Sequence, residues 1–355
     1  MKIKQLLFGL SLVIFLTSCS NDDENKSTDL EPTSSGIIIL NQGGYLAGNA
    51  GLSYLSNDFG TLQNDIFSTS NQSALLGDTG QDVGLNEQYA YVVLNGSNKI
   101  KVINRYTFKL VTTISSNLNN PRYVAFSNGK MYVTNWGSAL STSDDYVAVY
   151  NIADNAFVAN IPVAEGPERI LVNAGKIYVA HKGGYGYGNT ISVLNPATNT
   201  LVTTIVVGDL PDTMRVVGND LFVICSGKPS YTQAETAGKL TKINLLTNTV
   251  TSTLLFPTTS HPANLDLYNN SFYYTVASEI YSTSPTATTL PTAPIFTTTP
   301  QGAYGIYSFE VENNKIFIGD AGNYSANGKV YVYSLTGSLS TTKTVGVIPA
   351  GFYFN

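Results

Sequence analysis

The sequence has few of the side chains that carry most enzyme chemistry. Its 355 residues include two cysteines, two histidines and one tryptophan, and only 12% of them are charged. The histidines, His181 and His261, lie in different parts of the chain. There is no H-E-x-x-H, G-x-S-x-G or phosphate-binding Gly-Lys-Ser/Thr motif. The sequence therefore predicts no catalytic residue, no metal site and no cofactor, and it favours a protein that is not an enzyme.

The shortage of cysteine excludes a disulfide framework, and the lack of a C-x-x-C-H motif argues against covalently attached haem. Cys225 ends the strand-like run Leu221–Cys225 and is predicted to be a buried structural thiol. Positive charge is also scarce, since the formal net charge is −5. Such a surface argues against a nucleic-acid partner.

The N-terminus has the pattern of a bacterial lipoprotein signal. Lys2 and Lys4 precede an apolar run, Leu6–Leu16, that is too short to span a bilayer, which needs about 20 residues. The run ends in Leu-Thr-Ser-Cys, which resembles a lipobox. We predict that residues 1–18 are a signal peptide and that Cys19 is lipidated; the alternative is an ordinary secretory signal. Removing the two lysines leaves 17 basic and 24 acidic residues, a net charge of −7.

Residues 19–35 form a polar segment that lacks the apolar side chains needed to fold, and we interpret it as a disordered tether. Its beginning, Ser20–Glu24 (SNDDE), resembles the acidic export signal that places lipoproteins of Bacteroidetes on the outer leaflet of the outer membrane. Generic linker acidity is the alternative. The prediction is a protein anchored by lipid to the outer membrane and exposed at the cell surface.

The rest of the chain repeats one unit, seen most clearly at Pro121–Asn135 (PRYVAFSNGKMYVTN). Two β-favouring runs flank Asn128-Gly129, a dipeptide suited to the positive φ angles of a tight hairpin turn. We call the residue that opens each such unit its anchor, and successive anchors lie 40 to 51 residues apart. The anchors are Gln81, Pro121, Pro167, Pro211, Pro262, Ala303 and Pro349. This period, with four short strands per unit, predicts an all-β fold, a seven-bladed β-propeller over residues 36–355.

One blade is predicted to be shared between the two ends of the chain. Pro349–Asn355 has room for one strand only. The other three are assigned to Ile37–Asn41, Gly51–Ser56 and Leu62–Phe67. Such sharing closes the ring with strand hydrogen bonds and leaves no free sheet edge at the closure.

The units Asn128–Asn135 (NGKMYVTN) and Ala174–Ala180 (AGKIYVA) resemble those of YVTN-repeat propellers, the group that includes surface-layer and YncE-like proteins. The resemblance covers residues 37–355, although the units at Gln81, Pro262 and Ala303 depart from the motif. It implies the fold, and it implies little about function because propellers host many functions. Together with the lipoprotein pattern, the architecture is similar to that of BtuG-like surface lipoproteins of Bacteroidetes. That resemblance implies a corrinoid ligand (cobalamin) and an outer-membrane transporter as the partner.

Candidate ligand-binding residues lie at one end of the predicted blades. The loops between second and third strands share a face with the anchors, and we call it the anchor face. These loops are 42–50, 136–145, 181–189, 226–238 and 320–328, and they are rich in Gly, Tyr and Asn. The candidates are Gln42, Tyr45, Arg122, Trp136, Arg169, His181, Tyr185, Tyr187, Arg215, Lys228, Tyr231, Asn323 and Tyr324.

Each candidate also has a structural interpretation. Trp136 and the tyrosines can pack loops between blades, the arginines can pair with Glu168 or Asp212, and His181 can be an ordinary loop residue. At the level of function, ligand capture competes with a surface scaffold or adhesin that binds protein or glycan. A third hypothesis is a metal-dependent enzyme, because the propeller fold also hosts lactonases and quinoprotein dehydrogenases.

Overall fold

The computed structural model describes residues 35–355, which form a closed ring of seven four-stranded antiparallel sheets. This confirms the predicted seven-bladed propeller. The predicted signal peptide, Cys19 and nearly all of the tether lie outside the described residues. Within 35–355, no helix is both long enough and apolar enough to cross a membrane.

Six blades are continuous in sequence, and in each the first strand is innermost, at the ring axis. Blade 1 contains β4 (Gly80–Asn86), β5 (Tyr89–Leu94), β6 (Lys99–Asn104) and β7 (Leu110–Ile114). Blade 2 contains β8 (Pro121–Ser127), β9 (Lys130–Asn135), β10 (Tyr146–Asn151) and β11 (Phe157–Pro162). Blade 3 contains β12 (Pro167–Asn173), β13 (Lys176–His181), β14 (Thr190–Asn195) and β15 (Thr200–Val206). Blade 4 contains β16 (Pro211–Val217), β17 (Asp220–Cys225), β18 (Lys239–Asn244) and β19 (Thr249–Leu255). Blade 5 contains β20 (Pro262–Tyr268), β21 (Ser271–Val276), β22 (Glu279–Thr283) and β23 (Phe296–Thr297). Blade 6 contains β24 (Ser308–Glu312), β25 (Lys315–Asp320), β26 (Asn327–Ser334) and β27 (Leu339–Val347).

Blade 7 joins the two ends of the described chain, as predicted. The last strand, β28 (Pro349–Phe354), is innermost, and outside it come β1 (Ile37–Asn41), β2 (Gly51–Leu55) and β3 (Leu62–Gln63). The pairing of β28 with β1 runs from Ile37 opposite Phe354 to Asn41 opposite Pro349. The ring is thus closed by backbone hydrogen bonds.

Two boundaries differ from the sequence-based prediction by more than one residue. Leu62–Phe67 was expected to be one strand, but β3 stops at Gln63 because Asp65 takes a left-handed conformation (φ 55°). A short helix, α1 (Ile66–Ser70), follows and buries Ile66 and Phe67. The sixth anchor, placed at Ala303, is also wrong, since β24 begins at Ser308 and a loop containing a 3-10 turn (Thr299–Gln301) precedes it.

The core lies between the blades. One cluster joins Tyr178 and Ile191 of blade 3 to Met214 and Leu221 of blade 4, and similar clusters occupy the other blade interfaces. Because each sheet has a neighbour on both sides, the second strands are buried on both faces; every residue of β13 after Lys176 is buried. Such strands show no alternation of polar and apolar residues that would reveal which way a side chain points.

The inner strands share a β-bulge near their anchor ends. In six of the seven described inner strands the register shifts there, and β24 is the exception. In β12, for example, Glu168 and Arg169 together lie opposite Ala180. At a bulge the extra residue is not paired with the neighbouring strand, and the side chains there change direction. Here the bulges direct the side chains of residues just after the anchors towards the axis.

Candidate functional site

A cavity of about 370 Å³ opens on the axis at the anchor face. Residues from all seven blades line it, and most of them are bulge residues or their immediate neighbours. The lining residues are Gln42, Thr79, Gln81, Arg122, Tyr123, Glu168, Arg169, Lys182, Asp212, Ala263, Asn264, Ile306, Tyr307 and Ala350. We call this space the channel mouth.

Two ion pairs organise the polar wall of the channel mouth. The Arg122 guanidinium binds Glu168 through two parallel hydrogen bonds, Nε to Oε2 at 2.9 Å and Nη2 to Oε1 at 2.8 Å. Lys182 Nζ lies 3.2 Å from Asp212 Oδ1. The third cation, Arg169, stacks its guanidinium on the ring of Tyr123 at 4.2 Å from the ring centroid. The lining therefore carries three cations and two carboxylates in a protein whose net charge is negative.

The acidic residues also join neighbouring blades. Asp212 Oδ2 accepts a hydrogen bond from the backbone N–H of Asn264 in blade 5. Burial acts to raise the pKa of Asp212, but Lys182, Arg169 and this hydrogen bond outweigh it and lower the pKa to about 2. Asp82 plays the same part between blades 1 and 2, where it accepts from Val124 N–H.

Trp136 forms an aromatic wall beside the polar one. Its ring lies 3.9 Å from the Arg122 guanidinium carbon, and the edge of Tyr185 approaches it with 5.7 Å between ring centroids. Gly184 lies against the Trp136 ring with φ +54°, and a Cβ there would be 3.5 Å from the ring. The indole Nε1 is buried without a hydrogen-bond partner.

Three tyrosines from the loops of blade 6 form a second aromatic cluster beside the channel mouth. Tyr324 meets Tyr304 and Tyr307 edge to face, at centroid distances of 6.3 and 5.9 Å. The Tyr307 hydroxyl donates to Gln42 Oε1 at 2.6 Å, which joins this cluster to the channel lining.

Every exposed tyrosine in the described chain lies on an anchor-face loop. They are Tyr45, Tyr185, Tyr187, Tyr231, Tyr304, Tyr307 and Tyr324, and three of them (Tyr45, Tyr231 and Tyr304) are more than 70% exposed. Exposed aliphatic residues are scattered over several parts of the propeller, including the outer strands β7, β11, β15 and β19. The anchor face is therefore distinguished by flat rings that carry hydroxyl groups.

The structure brings some predicted site residues together and separates others. Gln42, Arg122 and Arg169 line the channel mouth, and Trp136, Tyr185 and Tyr324 adjoin it. Tyr45, Tyr187, Lys228 and Tyr231 lie further out on the same face, where Lys228 Nζ is 5.9 Å from the Tyr187 ring. Asn323 caps its own loop by accepting from Ser325 and Ala326 N–H.

His181 and Arg215 lie away from the channel mouth. His181 is only 1% exposed, its Nε2 is 2.8 Å from Ser192 Oγ, and burial lowers its pKa to about 4. Arg215 binds Asp266 at 2.8 Å and approaches Glu310 at 3.7 Å. It follows the bulge of β16, and it is absent from the lining of the mouth.

Sequence reasoning did not select several lining residues, including Tyr123, Lys182, Asn264 and Tyr307. A usable signal was present for two of them, because Tyr123 and Asn264 are each two residues past a proline anchor, the position at which Arg169 also lies. Lys182 and Tyr307 come from loops and carry no such signal.

A larger cavity, about 630 Å³, lies away from the axis between blades 4 and 5. Phe256, Tyr274 and Leu290 are among its walls, and it contains no charged residue. Cys225 is buried, as predicted. Within residues 35–355 no three His, Cys, Asp or Glu side chains are grouped so as to hold a metal ion. Charge, aromatic rings and convergence of all blades coincide only at the channel mouth, which is therefore the candidate site.

Replacing Asp212 by Asn is expected to destabilise the protein in a pH-dependent way. Because the folded-state pKa of Asp212 is about 2, below the ordinary value of 3.8, its charge stabilises the fold above pH 4. That stabilisation is lost as pH falls from 4 to 2, and it amounts to about 2 kcal/mol. Urea unfolding of both proteins between pH 7 and pH 2.5 checks this. A difference that stays constant with pH would contradict the proposed ion pairing.

Comparison with known proteins agrees with the architecture. The family model described as "Domain of unknown function (DUF5074)" matches residues 35–354. None of the curated proteins matches the chain. A functionally unknown protein from Desulfotomaculum acetoxidans has 15% identity and a TM-score of 0.64, with 90% of this chain and 99% of that chain covered.

Two further solved structures show the same likeness. A quinonprotein alcohol dehydrogenase-like protein from Bacteroides thetaiotaomicron has 12% identity and a TM-score of 0.63 over 89% of this chain and 77% of that chain. The computationally designed Ika8 protein has 11% identity and a TM-score of 0.55, over 92% and 98%. At such identities the likeness concerns the fold alone, and the resemblance to YVTN-repeat and BtuG-like proteins stays a prediction. Because the family model spans almost the whole ring, the chain belongs to the DUF5074 family of β-propellers.

Proposed function

We propose that this protein is a ligand-binding propeller that captures its ligand on the anchor face, over the channel mouth. The observation that carries the proposal is the placement of every exposed tyrosine of the described chain on loops of that one face. Exposed rings with hydroxyl groups offer rigid contact area and hydrogen bonds at a low cost in conformational entropy. A surface whose tyrosines served only to pack loops would hide them, and several of these are more than half exposed.

The leading candidate ligand is a corrinoid. A corrin is a broad, fairly flat macrocycle bordered by amide side chains, and it complements a rim of rings and hydroxyls around a polar opening. No covalent step is needed, and the ligand would be buried against the loops and then passed to an outer-membrane transporter. The lipoprotein-like N-terminus supports a location on the outer membrane, where such a transfer takes place.

Calorimetric titration of cyanocobalamin into the purified protein tests whether the ligand is a corrinoid. We expect saturable binding, and Trp136→Ala is expected to weaken it by about 2 kcal/mol or more because an aromatic anchor of the binding surface is lost. Leu246→Ala is the matched control, since Leu246 is 73% exposed in a turn on the opposite face. The affinity of Leu246→Ala for cyanocobalamin should equal that of the unmodified protein.

A flat titration would overturn the corrinoid proposal. In that case the same calorimetry with oligosaccharides tests whether the tyrosines stack on sugars, as a glycan-binding adhesin would require. Unchanged corrinoid affinity in Trp136→Ala would remove Trp136 from the binding surface.

A further inference from the structure

Arg169 differs from the other cations near the axis because its donors have no acceptor. Its guanidinium stacks on Tyr123, yet no residue within 35–355 accepts a hydrogen bond from it or forms an ion pair with it. By contrast, Arg122 is held by Glu168, Lys182 by Asp212, and Arg215 by Asp266. A guanidinium has five N–H donors, and those of Arg169 are not among the buried unpartnered atoms, so they face the open cavity.

The nearest carboxylates are already occupied by other donors. Asp212 accepts from Lys182 Nζ, Thr213 Oγ1 and Asn264 N–H. Asp82 accepts from Val124 N–H and from the Tyr353 hydroxyl. These carboxylates partly balance the charge of Arg169 from a distance, but neither forms a hydrogen bond or an ion pair with it.

The backbone holds Arg169 in this position. It is the second residue of the β12 bulge, so its side chain leaves the sheet and enters the channel mouth. Stacking on Tyr123 fixes the plane of the guanidinium, while its N–H edges remain available to a planar or tetrahedral partner. The site is therefore preorganised, and little side-chain entropy would be lost when an anion binds.

We infer that Arg169 binds an oxyanion, a carboxylate or a phosphate group carried by the ligand, inside the channel mouth. The inference rests on the proposed function, because it places a charged group of the same ligand in the channel mouth, while the exposed tyrosines of the anchor face contact the rest of the ligand. The lining supports it, since Glu168 and Asp212 are paired with Arg122 and Lys182, and Arg169 is the one lining cation without an ion-pair partner in the described chain. Guanidinium groups bind both kinds of oxyanion through paired, charge-assisted hydrogen bonds. The phosphodiester of a corrinoid is one group of this kind.

The test uses simple anions, so that it does not depend on corrinoid binding. Inorganic phosphate and, separately, acetate are titrated calorimetrically into the purified protein at a fixed ionic strength set with sodium chloride. We expect one of them to bind, and Arg169→Gln to raise its dissociation constant at least about tenfold. Arg169→Lys keeps the positive charge but cannot donate two parallel hydrogen bonds, and we expect a dissociation constant between those of the unmodified protein and Arg169→Gln. Lys242→Gln removes a cation on an outer part of blade 4, paired with Asp220, and should bind as the unmodified protein does.

The result separates the two proposals. Phosphate or acetate binding that depends on Arg169, with a flat cyanocobalamin titration, supports the oxyanion site and overturns the corrinoid. Failure of both anions to bind the unmodified protein, or equal binding by Arg169→Gln, overturns the oxyanion site and leaves the corrinoid test unaffected. If Arg169→Gln does not fold, judged by its melting profile, Arg169→Lys decides: a constant equal to that of the unmodified protein then overturns the inference.

Discussion

Deleting residues 349–355 is expected to abolish cooperative folding of the whole propeller. The deletion removes β28, which supplies the innermost strand of blade 7 and pairs with β1 along its length. Phe352 and Phe354 would no longer pack on Phe317, whose ring centroid lies 5.7 and 5.2 Å from theirs. Loss of one buried phenylalanine side chain costs about 3–5 kcal/mol, against a typical total stability of about 5–15 kcal/mol.

The same strand also ties blade 7 to its neighbours. The Tyr353 hydroxyl donates to Asp82 of blade 1 at 3.0 Å, and Pro349 O accepts from Ser308 Oγ of blade 6 at 2.8 Å. Removing β28 therefore exposes the inner edge of β1 and breaks contacts on both sides of the closure. An unpaired inner edge is also a template for aggregation.

Circular dichroism and calorimetric melting measure this effect. A chain that lacks only Asn355 keeps the strand but loses the hydrogen bonds of Asn355 to Gly36 and Arg105, so it separates the effect of the strand from that of the last residue. Adding a synthetic peptide of residues 349–355 to the truncated chain should restore part of the transition, because the missing strand can pair in trans. A truncated chain that melts like the intact protein would show that the termini do not close the ring.

Replacing Glu168 by Gln is expected to destabilise the protein by about 3–5 kcal/mol, because it leaves the Arg122 charge buried without a partner. The side chains of Arg122 and Glu168 are 14% and 7% exposed, and two parallel hydrogen bonds join them. Arg122 is also held against the Trp136 ring. We therefore expect the change to loosen the aromatic wall of the channel mouth.

A double-mutant cycle with Arg122→Gln, in which chemical denaturation gives the free energy of unfolding of each variant, isolates the interaction energy of the Arg122–Glu168 pair. The double variant should lose less stability than the sum of the two single variants, since neither charge is then left unpaired. Asp220→Asn is the matched control, because the Lys242–Asp220 pair at 2.7 Å is about 30% exposed on both sides. There the expected loss is about 1 kcal/mol or less. Equal losses in the two pairs would contradict the burial argued for Arg122 and Glu168.

The parts of the fold that depend on local patterns were predictable. Asn128 and Gly129 both have positive φ, 50° and 72°, as the hairpin turn required. Five of the seven anchors open their strands at the predicted residue, and β4 begins at Gly80, one residue before Gln81. The predicted end of β3 was wrong because Asp65 takes a left-handed conformation that ends the strand. The predicted start of β24 was wrong because the residues before Ser308, which include two tyrosines, form a loop.

The candidate site was only partly predictable. Four of the loops that carry exposed tyrosines were identified, because Gly and Tyr mark long loops and the blade topology assigns them to one face. The loop that carries Tyr304 and Tyr307 was predicted as strand. The position of His181 was not, since both faces of β13 are buried and its sequence shows no alternation. The pairing of Arg122 with Glu168 was one of two open alternatives, and Arg215 pairs with Asp266, which the sequence did not suggest.

The sequence by itself determined the repeat, the number of blades and the sharing of one blade between the termini, because these follow from spacing and turn chemistry along the chain. Only the tertiary structure decided which charges meet at the axis. Residues separated by more than 40 positions, such as Arg122 and Glu168, become neighbours through the curvature of the ring and the bulges of its inner strands. The same convergence leaves Arg169 stacked on Tyr123 with its donors facing an open cavity, a property that no stretch of sequence contains.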